Sequence, residues 1–167
     1  LNLFIHIIED TDLANYKVVS EELSFADAAL GESDLTIILE RDGHKVALLV
    51  EDKINAVAQP RQYERYVERG NKGVQEELYD AFYVFLIAPA EYFEGNESAQ
   101  KYPLKVTYEE CRDLFLNSTD ARSELKYQQL TEAIELGHKP YSKIVDEVST
   151  TFWDGYVRYM QTHYPDI

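Results

Sequence analysis

The sequence contains a single cysteine, Cys111, and no long apolar run. One cysteine excludes an intrachain disulfide and is typical of proteins from a reducing compartment. We expect Cys111 to be a small buried hydrophobic residue. No run approaches the roughly 20 apolar residues that a membrane-spanning helix needs. No basic-then-apolar leader begins the chain, so we expect a cytoplasmic protein that does not contact a membrane.

Positive charge is also scarce. Lys plus Arg number 16 against 31 Asp plus Glu, which gives a formal net charge of −15 at pH 7. Proteins that hold nucleic acid by its phosphates usually carry positive charge on the binding face. The balance therefore argues against avid, nonspecific DNA binding. It does not exclude an acidic site that binds metal first, because bound cations then become the largest charges there.

Glycine and proline are few, at 7 and 5 residues, and no Pro-, Gly- or Ser-rich stretch divides the chain. Apolar residues make up 45% and aromatic residues 13%, which is the composition of a globular protein rather than a disordered one. We therefore interpret residues 1–167 as a single domain. Because the chain opens with Leu1 rather than Met, a truncated N-terminus stays open.

Two β-rich runs dominate the first half of the chain, LTIILE at residues 35–40 and KVALLV at residues 45–50. They flank Asp42-Gly43, and Asp-Gly between two such runs is a strong signal for a β-hairpin. A turn centred on these two residues pairs positions whose numbers sum to 85. The sequence therefore predicts an antiparallel hairpin with a defined register.

The rest of the chain alternates between helical and extended patterns. Residues 60–69 predict a helix with Pro60 in its first turn and Gly70 just past its end. An almost wholly apolar run at residues 81–88 suits a strand covered on both faces. The other expected elements are a helix at 1–9, an extended segment at 16–25, a short strand at 104–107, and helices at 108–116, 123–136 and 142–159. This order predicts a three-layer α/β or α+β fold.

The last predicted helix carries an apolar stripe at helical spacing. We interpret this stripe as core or as a dimer face, so a homo-oligomer stays open. Its members are Ile144, Val148, Phe152, Tyr156 and Tyr159.

The hairpin register places two carboxylates and a lysine together at its open end. Asp34 falls opposite Glu51, and cross-strand partners have Cβ atoms about 5 Å apart. Lys53 lies two residues beyond Glu51 and projects from the same face if the strand continues. Paired carboxylates suit Mg²⁺ or Mn²⁺, and such a metal activates water and neutralises charge on a phosphate. A nearby lysine orients that water or stabilises the transition state. The pattern thus suits phosphodiester hydrolysis.

These residues carry a resemblance to a known family. ESD at residues 32–34, then sixteen residues, then EDK at residues 51–53 resembles the motif of the PD-(D/E)XK nuclease superfamily, with Ser33 in place of the usual Pro. VEDKINA at residues 50–56 and QPRQYERY at residues 59–66 are similar to a bacterial branch that reads IENKI-A and then Q-P-QLERY. Later segments, at residues 85–89 and 106–110, are also similar. The resemblance spans about residues 33–116.

The resemblance implies a three-layer, restriction-endonuclease-like core with a central mixed β-sheet, an antiparallel hairpin and flanking helices. It implies hydrolysis of nucleic-acid phosphodiester bonds with Mg²⁺ or Mn²⁺ as cofactor. The alternative, from another functional class, is a nuclease-like fold that acts as a non-catalytic binding or regulatory module. Asp52 occupies a position that is commonly neutral in the family.

The resemblance also assigns roles to individual residues. Asp34 and Glu51 would be metal ligands together with the backbone carbonyl of Asp52, and Lys53 would be the catalytic lysine. Gln62 would be a supporting polar residue near the metal or the substrate. The family often adds an upstream acid, for which Glu22 is the candidate and Glu21 the alternative.

Gln62 and Tyr66 match the QxxxY signature of the helix that follows the lysine strand. At about 100° per residue, Arg61, Arg65 and Arg69 form one basic strip beside Gln62. We interpret this strip and Tyr66 as substrate-binding residues that hold nucleic acid, foremost DNA, weakly. A solvated flank for the arginines and core packing for Tyr66 are the alternatives.

Overall fold

The computed structural model describes residues 2–8, 11–27, 31–138 and 147–164. Its centre is a five-stranded mixed sheet in which the strands follow chain order. The first three strands are antiparallel, and the last three are parallel. The strands are β1 (Lys17–Asp27), β2 (Gly31–Arg41), β3 (His44–Asp52), β4 (Ala81–Ala88) and β5 (Leu104–Thr107).

Helices flank this sheet. The helix that follows β3 covers one face, whereas the first helix packs on the other. Short 3₁₀ turns lie at Thr11–Asn15 and Ala90–Phe93. The helices are α1 (Asn2–Ile8), α2 (Gln62–Gln75), α3 (Glu97–Gln100), α4 (Tyr108–Asp113), α5 (Ala121–Gly137) and α6 (Glu147–His163). The architecture is α/β with a mixed sheet flanked by helices, and it is consistent with a restriction-endonuclease-like fold.

The β2–β3 hairpin has the predicted register. Arg41 pairs with His44 and Leu35 pairs with Val50, so paired residue numbers sum to 85 throughout. Asp42 and Gly43 form the turn with φ angles of 53° and 81°, the left-handed conformation that a two-residue hairpin turn requires. The turn chemistry therefore fixes which residues meet at the opposite end of the hairpin.

The alternation of side chains along β3 divides the core into two clusters. Leu48 and Val50 pack towards α1 with Phe85, whereas Ala47 and Leu49 pack towards α2. Successive strand residues point to opposite faces, so the two acids at the end of β3 also lie on opposite faces. Both faces of β3 are therefore covered.

The predicted bounds of α2 are wrong at both ends. Arg61, with a φ of 53°, adopts a left-handed conformation, so Pro60 precedes the helix instead of lying in its first turn. Gly70 lies inside the helix, which continues to Gln75. A Cβ at Gly70 would lie 2.3 Å from the Phe82 ring. This glycine therefore permits close packing on β4 and does not end the helix.

Three aromatic residues of the α6 stripe are not part of the core. Phe152, Tyr156 and Tyr159 are all exposed, with Phe152 64% accessible. Ile144 lies outside the described residues. The interpretation of the stripe as core is wrong for these three aromatic residues, and its alternative as a dimer face stays a prediction.

Among the helices of the described ranges, none combines the length and the apolar character needed to cross a lipid bilayer.

Candidate active site

A polar cavity of about 480 Å³ lies at the open end of the β2–β3 hairpin, beside the start of α2. Side chains from both strands and from the helix line it. The four residues predicted to be catalytic are all among them: Asp34, Glu51, Lys53 and Gln62. The structure therefore brings together residues that the sequence separates by up to 28 positions.

Glu51 is the most deeply buried acid of this cavity, with 2% of its surface exposed. Its Oε1 atom lies 2.6 Å from Lys53 Nζ and accepts a hydrogen bond of 2.5 Å from Gln62 Nε2. A buried carboxylate is costly unless it is paired and hydrogen-bonded, and these two contacts satisfy that requirement.

Lys53 is held by its backbone as well as by its ion pair. Its N–H donates to the carbonyl of Ile87 at 2.9 Å, so contact with β4 continues one residue beyond the end of β3. Its side chain is 14% exposed. The ammonium group is thus fixed at the cavity wall next to Glu51.

Beyond the last paired residues of β2 and β3, hydrogen bonds from side chains connect the two strands. The Tyr66 hydroxyl accepts a hydrogen bond from the Asp34 N–H at 3.2 Å and donates to the Val50 carbonyl at 3.1 Å. Asp34 Oδ2 accepts from the Asp52 N–H at 2.7 Å. These bonds hold Asp34 beside the end of β3, one register step beyond the last paired residues.

Tyr66 remains a neutral phenol. Its side chain is 1% exposed, and burial, followed by the charge of Glu51, raises the pKa of Tyr66 far above its usual range. A neutral hydroxyl donates one hydrogen bond and accepts others, which is how Tyr66 joins the two strands. Its core packing is confirmed, and a role in substrate binding stays a prediction.

Gln62 is fixed at both ends of its amide. Its Oε1 accepts from the Gln59 N–H at 3.1 Å, while its Nε2 donates to Glu51. Gln62 and Tyr66 are one helical turn apart and therefore share a face of α2. The QxxxY spacing thus delivers two different contacts to the end of the same hairpin.

The predicted arginine strip divides in the structure. Arg69 is 7% exposed, its Nε donates to Ser33 Oγ at 3.1 Å, and its guanidinium lies 4.1 Å from the Tyr66 ring centre. Arg65 donates to the Pro60 carbonyl at 2.6 Å. Both arginines line the cavity. The alternative of a solvated flank is therefore wrong for Arg69, and substrate binding by the strip stays a prediction.

Arg61 is the member that the structure separates from the other two. Its side chain is 70% exposed and pairs with Glu68 at 2.6 Å, and it does not line the cavity. The left-handed conformation of Arg61 takes it off the regular path of the helix. Any contact of Arg61 with a substrate stays a prediction.

The charge of the cavity differs from that of the whole chain. Its lining contains three acids and three bases, whereas the chain carries a net −15. A divalent cation bound there would make the local charge positive. The charged residues are Glu32, Asp34, Glu51, Lys53, Arg65 and Arg69.

The candidate upstream acids lie further away. Glu22 pairs with Thr36, and Glu21 pairs with Ile37, on β1. Glu22 lines a neighbouring cavity rather than the one that contains Asp34. Neither acid is positioned by a contact with Asp34 or Glu51, and a ligand role for either stays a prediction.

The residues present fit a magnesium ion of the kind that keeps several waters. Within the described ranges, no group of three or more His, Cys, Asp or Glu side chains is arranged to hold a metal. Mg²⁺ is usually bound by one or two carboxylates, with waters and substrate phosphates completing its shell. Asp34 and Glu51, with the Asp52 carbonyl, match that donor set.

The opposite face of the sheet carries a different acid. Tyr108 donates a 2.5 Å hydrogen bond to Asp52 Oδ1, and burial of this carboxyl raises the pKa of Asp52. The cavity of about 440 Å³ on that side is largely apolar. Cys111 lines it half-buried rather than fully buried, and burial raises the pKa of its thiol to about 11.

Sequence reasoning did not assign several residues that shape this site. Ser33 was noted only as a departure from the family motif, yet its hydroxyl accepts from Arg69, a bond that a proline side chain cannot form. Gln59 was visible in the QPRQYERY segment, and its side chain accepts from Arg65 at 2.9 Å. Tyr108 carried no signal, because its contact with Asp52 spans 56 residues.

The chain has an α/β architecture, a mixed sheet flanked by helices, and a cavity lined by Asp34, Glu51 and Lys53. No protein-family model and no curated protein matches the chain. Among solved structures, an XisH family protein from Nostoc punctiforme is similar to it at 11% sequence identity and a TM-score of 0.34. The similarity covers 64% of this chain and 90% of that one.

Proposed function

We propose that the chain is a metal-dependent nuclease that hydrolyses phosphodiester bonds in the cavity at the end of the β2–β3 hairpin. The observation that carries the proposal is the buried Glu51 carboxylate, held by Lys53 and Gln62 in the cavity that Asp34 also lines. A structural ion pair alone needs neither the second carboxylate nor the open polar cavity. Buried charged groups that are gathered in a cleft and held by specific partners are typical of functional sites.

In this proposal Asp34, Glu51 and the Asp52 carbonyl hold Mg²⁺ or Mn²⁺. The ion, when bound, supplies an activated water and neutralises charge on the phosphate. The hydrogen bond from the Asp52 N–H to Asp34 orients one carboxylate, and Gln62 orients the other. Preorganised ligands of this kind lose little freedom when they bind an ion.

Lys53 is the residue to which we assign the chemistry on the protein side. Its ammonium group donates protons and carries positive charge at the cavity wall. It therefore orients a water for attack and stabilises the charge that develops on the phosphate oxygens. Its contact with Glu51 holds it in place between turnovers.

Arg65 and Arg69 hold the substrate backbone in the proposed complex. Arginine binds phosphate through paired, charge-assisted hydrogen bonds. Among the described residues that line the cavity, these two carry guanidinium groups, so few phosphates are neutralised. Binding should therefore be weak and its salt dependence shallow.

A non-catalytic binding module is the second candidate. One observation favours it: Glu51 Oε1 already accepts contacts from both Lys53 and Gln62. If these contacts fully replace a metal, the carboxylates serve stability and the cavity only binds. Affinity for divalent ions distinguishes the two candidates.

The experiment that tests the proposal incubates the pure protein with single-stranded and duplex DNA and RNA, with Mg²⁺, Mn²⁺ or EDTA. We expect cleavage that needs the metal and is lost in Lys53→Ala. Lys105→Ala is the matched control, since Lys105 on β5 bonds Gln100 and is not among the described residues that line this cavity. Equal cleavage by the parent and Lys53→Ala would assign the activity to another site or to a contaminant.

A further inference from the structure

A second cavity adjoins the candidate active site on the α2 side of the sheet. It has a volume of about 420 Å³ and lies between α2 and the strands β1, β2 and β3. Ile38, Leu49 and Tyr79 supply apolar walls, whereas Ser20 and Thr36 supply hydroxyl groups. Apolar walls with a few polar groups are typical of sites for small ligands or ligand parts.

Thr36 is the polar group in this cavity that most directly indicates a ligand. It is 8% exposed, and its hydroxyl oxygen is buried without a hydrogen-bond partner among the residues described. Buried hydroxyls in proteins nearly always have a partner. The hydroxyl both donates and accepts, so a ligand edge of either kind would satisfy it.

The charges around the cavity select for a neutral occupant. Glu22 and Glu76, both exposed, contribute two carboxylates. Lys72, which lies 3.9 Å from Glu76, and Arg69 contribute two positive charges. The formal charges of the lining therefore balance, so no excess of either sign attracts a charged group. A flat, uncharged heterocycle with polar edges suits the walls, the hydroxyls and the charge together.

Arg69 joins this cavity to the candidate active site. It lines both cavities and binds Ser33, which also lines the second cavity and directly precedes Asp34 in β2. Neighbouring strand residues advance by about 3.3 Å. The second cavity therefore begins one residue from a proposed metal ligand, and the shared wall carries a guanidinium group suited to a phosphate.

We infer that this cavity receives one unpaired base of the substrate while the adjoining phosphate lies in the candidate active site. The inference rests on the proposed function and narrows its substrate class to single-stranded nucleic acid. A duplex must unstack and unpair a base before the base enters such a pocket. Hydroxyl contacts to the base edge and apolar contacts to its faces hold it there.

The experiment compares four proteins: the parent, Ser20→Phe, Thr36→Val and Val18→Phe. Ser20→Phe fills the cavity from the edge strand, and Thr36→Val removes the hydroxyl while keeping the shape. Val18→Phe adds the same ring on the same strand at an exposed residue outside the cavity. None of the three substitutions changes Asp34, Glu51 or Lys53.

The first measurement is the melting temperature with and without millimolar thymidine or deoxyadenosine, because a ligand that binds only the folded state raises it. We expect a rise for the parent and Val18→Phe, a smaller rise for Thr36→Val, and none for Ser20→Phe. No rise for the parent, or the same rise for Ser20→Phe, overturns the inference.

The second measurement is Mg²⁺-dependent cleavage of one oligonucleotide as a single strand and as a duplex. We expect the parent to cut the single strand at least about tenfold faster, because the duplex must first release a base, and Ser20→Phe to lose this preference. Equal rates for both substrates overturn the inference while leaving the proposed function in place. Absence of any cleavage refutes the proposed function, and the nucleoside measurement then decides the inference alone.

Discussion

Glu51 and Asp52 are consecutive acids at the end of β3, and their side chains lie on opposite faces of the sheet. Glu51 faces α2, is 2% exposed, and contacts the amide of Gln62 and the ammonium of Lys53. Asp52 faces α4 and receives a hydrogen bond from a phenol, that of Tyr108. Strand alternation alone separates the two carboxylates.

The difference lies in the partners and not in the acids. On the α2 side, the cavity contains three basic side chains and is polar. On the other side, the cavity is mainly apolar, and burial raises the pKa of the Asp52 carboxyl. The first environment stabilises charge and suits a cation with its substrate, whereas the second disfavours charge. In the proposed function, the Glu51 side chain therefore takes part in the chemistry, whereas the Asp52 side chain has a structural role.

The largest expected effect is a difference in cleavage rate between variants of these two acids. Glu51→Gln should lower the rate of nucleic-acid cleavage by about a hundredfold or more, the scale of losing one electrostatic contact at a transition state. Asp52→Asn should stay within about tenfold of the parent, the low end of the 10–100-fold cost of altering outer contacts to a site, because its side chain lies on the opposite face and its backbone groups remain. Comparable losses in the two variants would remove the distinction between the faces.

A smaller effect is expected in the free energy of unfolding, which should differ between variants of Tyr66 and Tyr108. Tyr66→Phe leaves the Asp34 N–H and the Val50 carbonyl without their buried partner, which should cost about 1–3 kcal/mol of the free energy of unfolding. Tyr108→Phe removes a single bond to a residue that still reaches solvent, so we expect about 1 kcal/mol or less. Urea denaturation measures both. A larger loss for Tyr108→Phe would show that the second face, and not the hairpin end, depends more on its hydroxyl.

The smallest expected effect is a pH dependence that comes from Asp52. Burial raises its pKa in the folded state above the ordinary value of 3.8. Its contribution to stability is therefore fully present below that value and is lost as pH rises through the raised folded pKa. Asp52→Asn cannot ionise, so its stability relative to the parent should increase with pH across this window. Urea denaturation at a series of pH values checks this, and a constant difference would contradict it.

The hairpin was predictable because its signals are local. Asp42-Gly43 sets a turn with two left-handed residues, and the turn sets the register through Leu35 and Val50. That register alone placed Asp34 beside Glu51, without any knowledge of the rest of the fold. The identity of the cavity-lining carboxylates and lysine follows from the same local argument.

The arginines and glycines of α2 were not predictable, because their roles depend on distant contacts. The sequence pattern predicts a helix end at Gly70. In the structure Gly70 packs against Phe82 on β4, a contact that the local pattern does not contain. The helical pattern places Arg69 in a basic strip, but its partner Ser33 lies 36 residues away in the sequence. Residue spacing within α2 therefore predicts which side chains share a helix face, but it does not predict which distant residues pack against that face.

The central claim is that the Asp34 and Glu51 side chains, and not the carboxylate of the neighbouring Asp52, hold a divalent cation. Mn²⁺ binding, followed by electron paramagnetic resonance at about 0.15 M salt to screen the acidic surface, tests it most directly. The account predicts a saturable site in the parent and in Asp52→Asn, and loss of that site in the Asp34→Asn, Glu51→Gln double variant. Unchanged Mn²⁺ binding in the double variant, or loss of binding in Asp52→Asn alone, would contradict it.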